Sequence, residues 1–364
     1  MAQASPVAVG QADGEGPKSN GEEPVRSSGL RLAARLADSP EIGIIVAVIA
    51  AFAIFTAINP LFGSISELQN LGVDLAGFGI LAVGEAFTII TGGIDLSVGS
   101  LSALCVVVSA WLNVTQHVPV LLAFVLTVLF GAAVGLHHAF WITRFGVPPF
   151  IITLVTFIFA AGADEAIAQS PIPISSPTFL AVATSTVGGV PIAVIILVVI
   201  ALLAWFFLER TYAGRQVYAV GGNREAARLA GIPTNRRIVL AYVVSGGCSG
   251  FVGIIVASHL TSGTADSVTG YELIAIASAV IGGVSLIGGQ GRIVGVVAGA
   301  ALLVVLEQGL VAVNVNAYYQ SMVVGFVLFV AVVADRLRVQ HRERTGGRGG
   351  IERGGRPGRR VGRA

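Results

Sequence analysis

Thr91-Gly92-Gly93-Ile94-Asp95-Leu96-Ser97-Val98-Gly99-Ser100 sets a carboxylate, hydroxyls and glycines between two apolar runs, Ile80–Ile90 and Leu101–Leu112. Backbone without side chains, next to a charge, is tolerated at membrane depth only where protein or a water-filled cavity covers it. The stretch therefore reads as a broken or re-entrant element beside a translocation path, which makes a transporter the default reading. The competing reading is a glycine-rich turn at the cytoplasmic edge, capped by Asp95.

Composition carries the membrane assignment. Hydrophobic residues make up 54% and charged residues 12% of 364, and mean hydropathy is +0.84, whereas a soluble domain carries about 25% charged residues. Pro191–Leu208 contains no charge, and at about 1.5 Å per residue it spans roughly 27 Å, close to a hydrocarbon core of about 30 Å. Runs of this kind predict an all-α polytopic bundle of about ten spans, at 41–58, 71–90, 94–112, 118–140, 147–167, 191–208, 238–262, 272–287, 293–312 and 318–334. Glycine-rich breaks alone separate the second span from the third and the eighth from the ninth, so either pair reads equally as one discontinuous element.

Threading ten spans puts every Lys and Arg on one side. Lys18, Arg26, Arg31 and Arg35 precede the first span, Arg144 follows the fourth, and Arg210, Arg215, Arg224, Arg228, Arg236 and Arg237 share the central polar segment. Arg292 follows the eighth span, and the remainder lie in the tail from Arg336 to Arg363. The opposite loops, 59–70, 113–117, 168–190, 263–271 and 313–317, contain none. This asymmetry predicts that both termini are cytoplasmic. Residues 1–40 read as a disordered lead-in, 41–335 as the membrane domain, and 336–364 as a disordered basic tail that aids orientation. A cleaved signal peptide does not fit, because the polar lead is long and the run from Ile42 spans by itself.

No cofactor or metal motif emerges. Cys105 and Cys248 fall in predicted spans as small buried hydrophobes. Gly131/Gly135, Gly246/Gly250 and Gly295/Gly299 stand at helix-packing spacing. Gly92-Gly93-Ile94-Asp95-Leu96 recurs as Gly282-Gly283-Val284-Ser285-Leu286, so the fold either holds two related halves in the same orientation or shows a chance match in a glycine-rich chain.

Two constellations carry candidate function. Glu209–Arg237 is the sizeable polar stretch on the arginine-bearing side. Within it Asn223–Gly231 reads as a short helix with Asn223 as N-cap, Gly231 and Pro233 as the stop, and Gly221-Gly222 as a sharp turn before it. Such a helix suits docking into a groove on a partner, or serves as a plain connection held at the headgroups. The intramembrane carboxylates Glu85, Asp95 and Glu307, with Thr91 and Ser97, are the candidates for lining a path, because each buried charge costs about 2.5–3.5 kcal/mol at a helix centre on insertion scales. Structural roles compete: Asp95 as a cap at the cytoplasmic edge, Glu307 as a hydrogen bond to a neighbouring helix. His137 and His138 read as a polar pair at headgroup level, since no third metal ligand is near in sequence. Trp111, Trp141, Tyr242, Tyr318 and Tyr319 sit near span ends, where an aromatic belt is expected.

Several longer motifs then resemble the membrane permease subunit of bacterial ATP-binding-cassette sugar importers, the ribose/xylose/galactose type. They are Ile89–Gly99, Val217–Ile232, Val147–Ile151, Thr269–Ala277 and Val280–Leu286, in order, within a resemblance covering about 40 to 335. The resemblance implies two permease subunits, identical or paralogous, forming the path in the bacterial inner membrane. It also implies ATPase subunits docked on the coupling loops and an extracytoplasmic binding protein delivering a monosaccharide or polyol. Gly221, Gly222, Asn223, Glu225, Ala226, Ala227, Arg228 and Gly231 would then serve the ATPase contact. The chain carries no motor or enzyme motif of its own: its single lysine, Lys18, follows Pro17, so no GxxxxGK[ST] loop exists. His137-His138, Glu85 and Ala161–Ser170 depart from the family pattern. The rivals are a proton-coupled secondary transporter and an ATP-driven permease for nucleosides or branched-chain amino acids.

Overall fold

The computed structural model describes residues 40–333 apart from 269, 317, 321 and 331. Of the expected disordered segments, 1–40 and 336–364, all but Pro40 lie outside the described residues, and Pro40 opens a helix. The bundle is all-α, and eight of its helices are long and apolar enough to cross a membrane. The first four elements are α1 (Pro40–Ile58), α2 (Ile65–Ile90), α3 (Val98–Ala110, extended by a π turn to Thr115) and α4 (Val120–Arg144). They are followed by α5 (Pro149–Ile167), the short α6 (Pro177–Thr184), and α7 (Ile192–Trp205, extended by a π turn to Arg210). Then come α8 (Tyr212–Gly222), α9 (Arg224–Leu229), α10 (Thr234–His259), α11 (Tyr271–Ile281) and α12 (Ile293–Ala312). Among the described residues two shorter apolar helices, α11 and Tyr318–Val330, join these eight, where the sequence predicts about ten spans. Two-residue strands pair Ile172–Pro173 with Ser262–Gly263, tying together the loops opposite the arginine-bearing end.

α2 and α10 form the centre. α2 starts on a local cap, with the Ser64 hydroxyl accepting the Glu67 amide at 3.3 Å, as its Ser-x-x-Glu start predicts. Its second half is buried almost without interruption from Ala76 to Ile90. α4, α5 and α7 stay largely uncovered and expose Leu121, Leu129, Phe150, Phe159 and Leu203, side chains suited to hydrocarbon. The glycine spacings act as expected. A Cβ on Gly131 or Gly135 would strike the backbone of α10 at Gly246 or Tyr242, and one on Gly299 would strike the Ser278 carbonyl. Cys105 and Cys248 are buried free thiols.

The eighth expected span, 272–287, is shorter than its hydropathy suggests. α11 is 11 residues long, about 16 Å, or half a bilayer core. α2 and α11 end in the same way. Thr91 closes α2, Gly92 adopts φ +84°, and the amides of Gly92 and Gly93 donate to Ile89 and Thr88 at 2.9 Å each. Gly282 closes α11, Gly283 adopts φ +89°, and the amides of Gly283 and Val284 donate to Val280 and Ala279 at 2.9 Å each. Both are Schellman terminations, in which glycine takes the left-handed residue without a Cβ penalty.

Candidate functional site

The polar segment after α7 folds as its residues dictate. Thr211 caps α8 by accepting the Gly214 amide at 2.9 Å. Asn223 caps α9, its Oδ1 accepting the Ala226 amide at 2.9 Å. Gly231 ends it with φ +78°, while the amides of Gly231 and Ile232 donate to Arg228 and Ala227 at 3.0 Å each. Ala227 faces inward, and Glu225, Ala226 and Arg228 face out. Glu225 and Arg228 pair at 2.7 Å with both side chains about two-thirds exposed, so the pair adds little to stability. Leu229 is 79% exposed. Beside α9 lies an open groove of about 720 Å³ edged by Arg224, Glu225, Arg228 and Arg236. An apolar tip among charges, standing over a groove, suits a protein partner.

The base of this segment is joined to both broken elements. The Gly289 amide donates to the Ile90 carbonyl at 2.9 Å, and Gly221 packs so closely there that a Cβ would overlap that carbonyl. Position Gly288 lies against Gly221 and Gly92, and Gly289 against Gly222. The Tyr218 hydroxyl donates to the Gly291 carbonyl at 2.9 Å. Burial pushes that phenol up to about 12, so it stays a donor at neutral pH. Backbone from α8, α2 and the α11–α12 turn therefore meets without side chains between.

Above this junction the chain turns back into the bundle. The Asp95 amide donates to Glu85 Oε1 at 3.1 Å, which places Asp95 level with Glu85, about 8 Å of helix back from the end of α2. Asp95 is fully buried. It stands just before α3, as the capping reading of the sequence has it, and inside the bundle. Its Oδ1 accepts the Ser97 amide at 3.0 Å and the Ser97 hydroxyl at 2.6 Å, and its Oδ2 accepts Ser245 of α10 at 2.9 Å. His138 of α4 is also fully buried, with Nδ1 3.9 Å from Asp95 Oδ2 and Nε2 2.8 Å from Thr156. The expected headgroup-level histidine pair is corrected accordingly: His137 is exposed and accepts from Trp141 at 2.8 Å, while its neighbour turns inward. Tyr242 is likewise buried rather than interfacial. Its hydroxyl, Glu85 Oε2 and His138 Nδ1 have no hydrogen-bond partner.

Glu85, Thr91, Asp95 and Ser97 therefore share one region, with Thr91 donating to the Thr88 carbonyl at 2.8 Å. Glu307 stands apart on α12, near Asp74 and Tyr271. One of the two readings of Glu307 gave it an interhelical bond; such a bond is made by its neighbour, Gln308 Nε2 donating to Asp74 Oδ2 at 2.8 Å. Sequence reasoning missed Asp74 and Gln308, and also Asp164 and Glu272. A polar residue within an apolar run was the available signal for all four.

A permease family described as "Branched-chain amino acid transport system / permease component" matches residues 68–332. The chain belongs to this family. It is 36% identical to the ribose import permease protein RbsC of Haemophilus influenzae over 295 residues, 80% of this chain and 91% of the relative. It is 35% identical to the D-allose transport system permease protein AlsC of Escherichia coli over 78% of this chain and 88% of the relative. The ribose import permease protein RbsC of Bacillus subtilis is 36% identical over 82% and 92%. No solved structure matches. The protein is a multi-pass membrane permease, and its relatives are transport subunits rather than enzymes.

Proposed function

We propose that this permease is the membrane subunit of an ATP-binding-cassette importer that moves a monosaccharide or polyol into the cytoplasm by alternating access. A separate ATPase docks on Glu225, Ala226, Arg228 and the exposed Leu229. The observation that carries this reading is the junction at Gly221: an exposed, capped helix stands on a glycine pair in direct contact with the ends of both broken elements. Movement of α9 then reaches the Asp95 region through backbone, with little slack to absorb it. The arginines at one end support cytoplasmic termini and an inner-membrane location. The ribose and allose names of the relatives support a sugar cargo over the amino acids in the family's description. An extracytoplasmic binding protein and a second permease subunit complete the assembly. Glu85, Thr91, Asp95, Ser97 and Glu307 are proposed to border the path.

Gentle purification from the native membrane tests this. Co-purification of an ATPase carrying a phosphate loop, with a binding protein and ATP-driven ribose uptake in proteoliposomes, is the expected result. A lone oligomer supporting gradient-driven uptake overturns it. The buried Glu85–Asp95–His138 arrangement favours the proton-coupled reading in that event.

A further inference from the structure

A second buried polar site lies where α3 and α11 begin. The two helices start beside each other. A Cβ on Gly99 would collide with the Glu272 carboxylate and sit 3.0 Å from the Glu272 amide. Helices whose N-termini meet inside a bundle turn positive dipole ends to one small volume. Here that volume is a cavity of about 40 Å³ bordered by Ser100, Asp164, Asp266 and Glu272.

The polar chemistry of the cavity is one-sided. Asp164 is 1% exposed and Glu272 8%. Asp164 Oδ2 accepts the Asp266 amide at 3.1 Å, but Asp164 Oδ1 and Glu272 Oε2 have no partner. Ser100 spends its proton on the Ser97 carbonyl at 3.2 Å. No Lys or Arg occurs in 145–209 or 238–291. The two orphan oxygens therefore await a hydrogen-bond donor, since buried acceptors without one are costly. A metal ion is a poor fit, because no three His, Cys, Asp or Glu among the described residues are grouped to hold one. The volume suits a hydroxymethyl group or a water or two, and excludes a sugar ring. Asp266, which borders the cavity, is exposed.

We propose that Asp164 and Glu272 form a hydroxyl-accepting subsite on the translocation path, gripping one edge of a neutral polyhydroxylated solute in transit. This rests on the sugar-importer reading and gives it a recognition site in addition to the first-noticed carboxylates, of which Asp95 is committed to Ser97 and Ser245. Two carboxylates without a nearby cation favour neutral hydroxyl donors and repel anionic sugars such as phosphates.

The test uses the complex as purified with its ATPase and binding protein, in proteoliposomes with radiolabelled ribose. Asp164→Asn and Glu272→Gln keep shape but turn one acceptor into a donor. A hydrogen bond to a charged group contributes about 1.5–3 kcal/mol, so each substitution is expected to cut ATP-driven uptake about tenfold to a hundredfold. Thermal stability and stimulation of the ATPase by loaded binding protein stay within about twofold. Uptake within twofold of wild type overturns the subsite, since water alone then fills the cavity. A parallel loss of stability and ATPase stimulation assigns the pair to folding and also overturns it. Uptake that rises with Na⁺ or Ca²⁺, and loses that dependence in Asp164→Asn, replaces the hydroxyl site by a cation site. A second arm is independent of cargo. Ala161→Cys, on the cavity wall, is expected to react with a membrane-impermeant thiol reagent from outside, against the buried Cys105 and Cys248. Failure to react in every nucleotide state removes the cavity from the path. Absence of ATP-driven ribose uptake by wild type strikes the importer reading instead, while the labelling arm still decides the cavity.

Discussion

Gly221→Ala and Gly222→Ala add the same methyl group at adjacent positions, and the structure predicts opposite outcomes. At Gly221 the new Cβ overlaps the Ile90 carbonyl oxygen and comes within 2.6 Å of the Gly289 amide. It enters the hydrogen bond that joins α2 to the α11–α12 turn. The bond itself is worth about 0.5–1.5 kcal/mol, and leaving its buried groups unmet costs about 1–3 kcal/mol. Overpacking against backbone, which cannot rotate away, adds about 1–3 kcal/mol. The variant is thus expected to lose roughly 2–6 kcal/mol locally. At Gly222 a Cβ meets nothing within 4 Å and the backbone has no positive φ. There alanine is expected to gain about 0.5–1 kcal/mol, because Gly is the poorer helix residue. Thermal unfolding of the detergent-solubilised complex, with ATPase stimulation by loaded binding protein, separates the two. Gly221→Ala should lower the midpoint and reduce stimulated more than basal ATPase; Gly222→Ala should do neither. Equal behaviour of the two variants would refute the claim that this junction is rigid and transmits movement.

Three further outcomes are expected. Glu225→Ala with Arg228→Ala should insert and express normally, because the pair is exposed, while ATP-driven uptake falls; normal uptake excludes this loop from ATPase contact. Asp95→Asn removes the charged acceptor to which Ser97 and Ser245 donate, and is expected to lower thermal stability by about 1.5–3 kcal/mol. Wild-type stability and uptake together would show that the buried charge is dispensable. Gly131→Leu forces α4 away from α10 and should abolish folded protein in size-exclusion chromatography; a monodisperse, active variant would contradict the close packing.

What the sequence disclosed was local. Asn223 and Gly231 announce a cap and a stop because each bonds within four residues of itself, and apolar runs announce spans because burial in lipid is a property of the run. What it concealed was pairing. His137 and His138 are about 100° apart on α4, so they face different ways, and nothing in their identity says which turns inward. Glu307 and Gln308 pose the same choice, settled by Asp74, which is 234 residues from Gln308. The end of α11 was hidden because Val284, Leu286 and Ile287 continue the apolar run beyond a turn that only the backbone reveals.

The two glycine breaks show how far the repeat extends. Matching identities pairs Gly92-Gly93 with Gly282-Gly283. The backbone aligns them one residue differently, since the left-handed glycine is the first of one pair and the second of the other. In that alignment Gly93 corresponds to Val284, and Asp95 to Leu286. The difference has a steric cause: a Cβ at Gly93 would collide with the Tyr242 hydroxyl, whereas Val284 is buried in the α2–α12 core. The shared termination therefore turns the chain at the same kind of place twice. One turn delivers a carboxylate to buried hydroxyls and His138; the other delivers apolar side chains and the glycines that touch Ile90 and Gly221. The two breaks thus share a termination and differ in what it positions: a polar cluster buried in the bundle in one case, a backbone joint beneath the exposed loop in the other.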